Sequence, residues 1–90
     1  MIEQTMVEFE KTYVEYRENI FRVCAMMLKD YQLAEDATQE TFYKALCKLH
    51  SFNRSSSAKT WLTRIAINIC KDRLRKKASF ETPKEDFDYL

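Results

Sequence analysis

The sequence contains no glycine and a single proline, Pro83. Tight β-hairpins depend on glycine or on Asn-Gly and Asp-Gly turns, so a sheet built from hairpins is disfavoured. An apolar fraction of 46% and an aromatic fraction of 13% are nevertheless sufficient for a packed core, which argues against wholesale disorder. The composition therefore predicts one small all-α domain, a bundle of helices joined by short polar links.

Long hydrophobic runs are also missing. No stretch approaches the roughly 20 apolar residues needed to cross a bilayer. The first residues lack the basic flank and the apolar centre of a signal peptide. We therefore expect a cytoplasmic protein with no membrane contact of its own.

Histidine and cysteine are scarce. The three cysteines, Cys24, Cys47 and Cys70, fall within apolar helical patterns, and His50 stands alone. Without a Cys-x-x-Cys pair a metal site is not expected, and the pattern predicts three reduced thiols, each in the core or half-buried. Neither a catalytic Cys/His/acid group nor a phosphate-binding glycine loop is present. We therefore expect no enzyme activity and no cofactor.

The net charge of +1 conceals a strong asymmetry. Residues 1–50 carry six Lys or Arg and nine Asp or Glu, a balance of −3. Residues 51–80 carry eight Lys or Arg and one acid, a balance of +7, and residues 81–90 return to −3. A basic block between two acidic ones predicts a localised anion-binding surface.

Periodic apolar residues predict two helices in the first half of the chain, over about Val7–Lys29 and Leu33–Leu49. Asp30 lies between them and is suited to cap the second. The core stripe of the first helix comprises Phe9, Tyr13, Tyr16, Ile20, Val23 and Met27. The core stripe of the second comprises Ala34, Ala37, Thr41, Phe42, Ala45 and Leu49. An exposed, mainly acidic face opposite the second stripe comprises Asp36, Gln39, Glu40 and Tyr43.

A polar, serine-rich loop precedes a third helix. A serine of the Ser55–Ser57 run is expected to cap this helix, which continues to about Lys77. After Ala78 the sequence turns acidic and loses its periodicity, and Pro83 opposes a helix. We therefore predict a domain over residues 1–78 and an acidic linker or tail over 79–90.

One side of the third helix is basic. At 100° per residue, Trp61, Arg64, Asn68, Lys71 and Arg75 share an arc of about 80°. A solvated face near a helix C-terminus would account for the last lysines, but not for a tryptophan and an amide among unbalanced cations. Cations offset phosphates, a ring stacks on a base and an amide bonds a base edge, which favours single-stranded nucleic acid. The position of Trp61 suits either base stacking or core packing.

Four segments together resemble a known family. They are Ala-Glu-Asp-Ala-Thr-Gln-Glu-Thr-Phe at 34–42, Leu-His-Ser-Phe at 49–52, Thr-Trp-Leu-Thr-Arg-Ile-Ala-Ile-Asn at 60–68 and Asp-Arg-Leu-Arg at 72–75. This combination resembles region 2, the second conserved domain of bacterial sigma factors, and specifically the extracytoplasmic-function (ECF) group. The resemblance covers about Phe9–Lys77.

The resemblance implies binding to the β′ clamp helices of core RNA polymerase and capture of the melted non-template strand of the −10 promoter element. Polymerase contacts would be Asp36, Gln39, Glu40 and Tyr43. By position, Trp61, Arg64 and Asn68 would contact the strand, with Lys71 and Arg75 on its phosphates. A loop that helps to hold a flipped-out base would comprise Phe52, Asn53, Arg54, Ser55, Ser56, Ser57 and Lys59.

The sequence also departs from the family pattern. The loop lacks the glycine frequent in relatives, which bears on its base preference, and Trp61 is the motif's one aromatic, so we expect weak melting by stacking and stringent promoter choice. Relatives carry a further helix-turn-helix domain that nothing after Ala78 could encode, so we expect a piece of a longer protein. The resemblance further implies an anti-sigma factor as partner.

Two other classes of protein remain open on the sequence alone. A helical protein-interaction module would bind no DNA. A duplex-binding helix-turn-helix regulator would need two short helices joined by a tight turn, often with glycine, and the sequence shows none.

Overall fold

The computed structural model describes residues 2–49, 52 and 57–81, and within them side chains of residues 6–49, 52 and 57–77. These residues form three α-helices, α1 (Ile2–Leu28), α2 (Tyr31–Cys47) and α3 (Ala58–Glu81), each packed against the other two. No strand occurs in this part of the chain. The prediction of an all-α bundle of three main helices is confirmed.

The ends of the helices differ from those predicted. Helix α1 begins at Ile2 rather than Val7, and α3 continues to Glu81 rather than Lys77. Apolar periodicity locates only the part of a helix that packs on a neighbour. The helix ends beyond that part consist mainly of residues with adequate helix propensity, which can extend a helix into solvent. Helix α3 therefore crosses the boundary predicted after residue 78.

A two-residue link joins α1 to α2. Lys29 has a left-handed backbone (φ 55°), and its N–H donates to the carbonyl of Ala25 at 2.8 Å. Asp30 then caps α2, because its Oδ1 accepts from the N–H of Leu33 at 2.9 Å. The predicted cap is confirmed, and the left-handed residue that ends α1 is a lysine in a chain without glycine.

The core lies where the three helices meet. Helix α2 contributes mainly small residues, and the hydroxyls of its buried Thr38 and Thr41 donate to the carbonyls of Ala34 and Ala37 at 2.7 Å. Backbone acceptors on the same helix therefore satisfy these two buried polar groups. The buried apolar residues are Ile20, Cys24, Leu28, Ala34, Ala37, Phe42, Ala45, Leu62, Ala66, Ile69 and Cys70.

The predicted stripe of α1 packs on the core at every position except Val23: Ile20 is buried, and Phe9, Tyr13, Tyr16 and Met27 are half-buried against the core. Cys24 and Leu28 are buried, whereas Val23 and Met27 are only half-buried. The fully buried residues at this end of α1, Ile20, Cys24 and Leu28, follow one another at a spacing of four residues. On α2 the predicted stripe is buried except for Leu49, which is half-buried and follows the helix.

The three thiols are free, but their positions differ. Cys24 on α1 and Cys70 on α3 are completely buried, as expected. Burial, together with the neighbouring Cys24 sulfur, raises the pKa of the Cys70 thiol to about 12. The prediction for Cys47 is wrong, because this last residue of α2 is exposed.

None of the helices in the described part of the chain is both long and apolar enough to span a membrane.

Candidate nucleic-acid interface

The start of α3 is fixed by Ser57. Its Oγ accepts from the N–H of Thr60 at 3.1 Å, and its carbonyl accepts from the N–H of Trp61 at 3.0 Å. The hydroxyl also donates to Oγ1 of Thr60 at 3.1 Å. The structure thus selects Ser57 from the serine run as the cap, and its hydroxyl is engaged within the chain.

Trp61 lies partly in the core and partly against the loop. One part of its side chain packs on the core cluster, and its ring stacks on that of Phe52 with centroids 4.7 Å apart and an interplanar angle of 24°. Both side chains are half-buried. The sequence left Trp61 between core packing and base stacking, and it did not reveal the stack on Phe52. Both rings occupy motif segments, but their mutual distance depends on the loop between them.

The basic side of α3 is exposed as predicted. Arg64, Asn68, Lys71 and Arg75 are all exposed and, together with Phe52 and Trp61, form what we call the α3 face. Lys59, which the sequence placed in the loop, is also exposed, but it lies in the first turn of α3 and about 140° around the helix from Arg64. Four loop positions predicted to belong to the α3 face, Asn53, Arg54, Ser55 and Ser56, lie outside the described residues.

The cations of the α3 face differ in their partners. Arg75 pairs with Asp72 one turn earlier on the same helix. Within the described side chains, Arg64 and Lys71 have no carboxylate partner. Their charges remain available for an anion from outside, whereas that of Arg75 is partly offset by Asp72.

The predicted acidic side of α2 is only partly exposed. Asp36 and Gln39 are exposed, and Tyr43 is 67% exposed although its ring is large. We call these three residues the α2 face. The prediction that Glu40 is equally exposed is wrong, because that side chain is half-buried and turned toward α3.

Glu40 is held by a residue from another helix. Its Oε1 lies 2.6 Å from Nη2 of Arg73, and its Oε2 lies 3.8 Å from Nζ of Lys44. The hydrogen bond from Arg73 holds the pKa of the Glu40 carboxyl below its ordinary value. Arg73 follows Trp61 by 12 residues and so lies about 120° from it around α3, on the side that faces α2.

Metal ligands are not clustered in the described residues, which contain no group of three or more His, Cys, Asp or Glu side chains placed to hold an ion.

Comparison with known proteins identifies the family. Residues 12–80 match the family model described as Sigma-70 region 2. The chain belongs to this family.

Similar curated proteins carry sigma-factor names. The ECF RNA polymerase sigma factor SigW of Bacillus subtilis is 42% identical over 62 residues, covering 69% of this chain and 33% of the relative. SigM of the same organism, also named an ECF sigma factor, is 36% identical over 77 residues, 86% of this chain and 47% of the relative. The RNA polymerase sigma-H factor of Pseudomonas aeruginosa is 33% identical over 86 residues, 91% and 45% respectively.

The names of SigW and SigM confirm the resemblance to the ECF group. The chain spans between a third and a half of the length of these relatives.

Proposed function

We propose that this domain binds core RNA polymerase through the α2 face and holds the single-stranded −10 element of a promoter on the α3 face. The observation that carries the proposal is the α3 face itself. It places unpaired cations, an exposed amide and a stacked aromatic pair on one side of a helix in a domain of the Sigma-70 region 2 family.

The polymerase side of the proposal rests on the α2 face. Asp36, Gln39 and Tyr43 lie within about 60° of one another around α2. Their exposed carboxylate, amide and phenol suit a basic partner surface that steers association electrostatically. The relatives are named for RNA polymerase, and we assign as that surface the β′ clamp helices that the family resemblance implies.

In the proposed contact with the promoter strand, different residues have different roles. Arg64, Lys71 and Arg75 would offset phosphates of the non-template strand, while Asn68 would bond a base edge. Residues 52–57 and Lys59, in the first turn of α3, would form the pocket for a flipped base, and the stacked Phe52 and Trp61 rings would form its wall. Flipping costs a few kcal/mol, which these contacts must offset.

Polymerase binding is tested by capture of the 90-residue chain on immobilised core RNA polymerase. Wild type should be retained, and Asp36→Ala/Gln39→Ala should be lost or weakened at least about tenfold, as expected for central interface residues. The matched control is Glu18→Ala, which removes an exposed acid from α1. Failure of the wild type to bind would overturn the proposal.

Strand binding is tested by anisotropy with a labelled pool of single-stranded DNA of randomised sequence, titrated at several salt concentrations. Arg64→Gln/Lys71→Gln should weaken binding and reduce the log–log salt slope by about 1.4, roughly 0.7 for each lost phosphate contact. The control Lys11→Gln/Arg22→Gln removes two exposed cations from α1 and should leave the slope unchanged. Equal slopes for the two double variants would refute the assignment of the α3 face.

Three further assignments follow from the same proposal. The domain acts in the cytoplasm, where polymerase and promoters are found, and it assists the polymerase without performing bond chemistry. An anti-sigma factor would inhibit it by covering the α2 and α3 faces. Competition between such an inhibitor and core polymerase for the wild-type chain tests that last assignment.

A further inference from the structure

Two apolar side chains of α3 border the α3 face without belonging to it. Leu74 is 39% exposed although it is large, and Ile67 is half-buried. At 100° per residue these two lie within about 20° of each other, and about 60° from the row formed by Arg64 and Lys71. A basic row and an apolar row therefore run side by side along the helix, and we call these four residues the α3 edge.

Residues 82–90 have the chemistry that complements this edge. Asp86 and Asp88 alternate in the sequence with Phe87 and Tyr89. Successive side chains of an extended chain point to opposite sides, so this segment, when extended, offers two carboxylates to one row and two aromatic rings to the other. With one lysine and three acids the segment has a net charge of −2, opposite in sign to the basic row.

The segment also begins close enough to cover the edge. Helix α3 ends at Glu81, within about 20° of the apolar row, and Pro83 disfavours continuation of the helix beyond it. The level of Lys71 is ten residues back along the helix, about 15 Å at 1.5 Å per residue. An extended chain reaches about 17 Å from the helix end at Asp86 and about 23 Å at Asp88. Both aspartates can therefore lie beside the basic row.

We propose that residues 82–90 fold back along α3 and bind the α3 edge, with the aspartates on the basic row and the aromatic rings on the apolar row. The segment then occupies Arg64 and Lys71, which are assigned to strand phosphates, and competes with a promoter strand. The inference rests on the proposed function for this competition alone. A segment tethered so near its site has an effective concentration on the order of millimolar, so weak contacts suffice and a strand can still displace it.

Docking is tested by cross-linking the 90-residue chain with a carbodiimide, which joins a carboxylate directly to an amine in contact with it. We expect a link between Lys71 and an acid of residues 85–88, detected by mass spectrometry in the monomer, unchanged in yield on dilution and abolished by excess single-stranded DNA. Lys11, an exposed lysine of α1, is the control and should not link to these acids. Links confined to dimers would make the occupant a second copy of the chain and overturn the proposal.

Competition is tested by anisotropy with the randomised single-strand pool. Asp86→Asn/Asp88→Asn should bind the pool about three- to tenfold more tightly than wild type, because apparent affinity falls with the fraction of chains whose site is covered. The control Glu15→Gln/Glu18→Gln removes two exposed acids from α1 and changes the net charge equally, so it should stay within about twofold of wild type. Equal gains in the two double variants would reduce the effect to net charge and refute the competition.

The aromatic half of the contact is tested separately. Phe87→Ala/Tyr89→Ala and Leu74→Ala should each tighten strand binding, and the triple variant should gain no more than the larger of the two, because both changes remove one contact. Val14→Ala, at an exposed apolar residue of α1, is the control and should match wild type. Gains that multiply in the triple variant would show that the rings do not rest on the apolar row.

Failure of this inference and failure of the proposed function give different results. If no variant binds the strand pool, the strand-binding part of the proposed function is refuted, while the link to Lys71 still decides whether the segment docks. If wild type binds the pool and neither the link nor the gain in affinity is found, the docking is refuted and the proposed function stands. A link without any gain in affinity would refute the competition.

Discussion

The stacked rings of Phe52 and Trp61 lead to a prediction about how the loop between Phe52 and Ser57 is held in place. The rings lie 4.7 Å apart and nearly parallel, and Trp61 also packs against the core. Phe52 and Ser57 are the last described residues on either side of the loop, the first stacked on Trp61 and the second capping α3. Removing either ring should therefore release the same end of the loop.

The magnitude follows from the geometry. An offset-stacked aromatic pair contributes about 0.5–1.5 kcal/mol beyond its buried area, which corresponds to about two- to thirteenfold in affinity. We expect Phe52→Leu and Trp61→Leu to weaken single-strand binding by similar factors in this range. The double variant should be no weaker than the worse single variant, because both substitutions remove one contact.

Direct stacking of Trp61 on a base gives a different pattern. A base stacked on an aromatic side chain contributes about 1–3 kcal/mol, so Trp61→Leu alone would lose about 5- to 150-fold while Phe52→Leu changed little. Anisotropy with the randomised strand pool distinguishes the two, with Tyr31→Leu, an exposed aromatic on α2, as the matched control. A large loss confined to Trp61→Leu would refute the loop-anchoring argument.

Three further perturbations test the structure. Asp72→Asn releases Arg75 and should raise single-strand affinity and steepen the salt slope by about 0.7, measured by the same titration. Leu62→Ala, at a side chain 1% exposed, should lower the free energy of unfolding by about 2–5 kcal/mol in urea titrations, whereas Val14→Ala, 72% exposed, should change it little. Because the pKa of Glu40 in the folded chain is lowered from 4.5, the ionised side chain adds to the free energy of unfolding above pH 4.5, and this contribution is lost as pH falls through the folded pKa. Glu40→Gln should therefore reduce the dependence of the unfolding free energy on pH in this acidic range, measured by urea titrations at several pH values.

The sequence predicted those parts of the fold that depend on local chemistry. Asp30 and a serine of the 55–57 run could be recognised as caps because a side chain before a helix needs only the N–H groups of the following turn, and the structure then selected Ser57. The predicted buried stripe of α2 was correct within the helix, because the spacing of its alanines indicates which side of so short a helix is buried. Exposure of Arg64 and Lys71 followed from the same rotation of 100° per residue.

Features that depend on how helices meet could not be predicted. A helical wheel places Glu40 on the side away from the core stripe and Arg73 opposite the basic arc, but it does not show that α2 and α3 bring them to 2.6 Å. The stack of Phe52 on Trp61 depends on the path of the intervening loop. The exposure of Cys47 reflects the end of α2, and helix ends are poorly determined by periodicity.

The short link at Lys29 and Asp30 has a consequence for the order of folding. Helices α1 and α2 are separated by two residues, whereas α3 follows α2 after residues 48–57. Closing a short connection costs less entropy, so we expect the α1–α2 hairpin to form first and α3 to dock last, with φ-values lowest on α3. A partly folded chain would then present the α2 face before the α3 face exists. Such a chain could occupy polymerase without being able to hold a promoter strand.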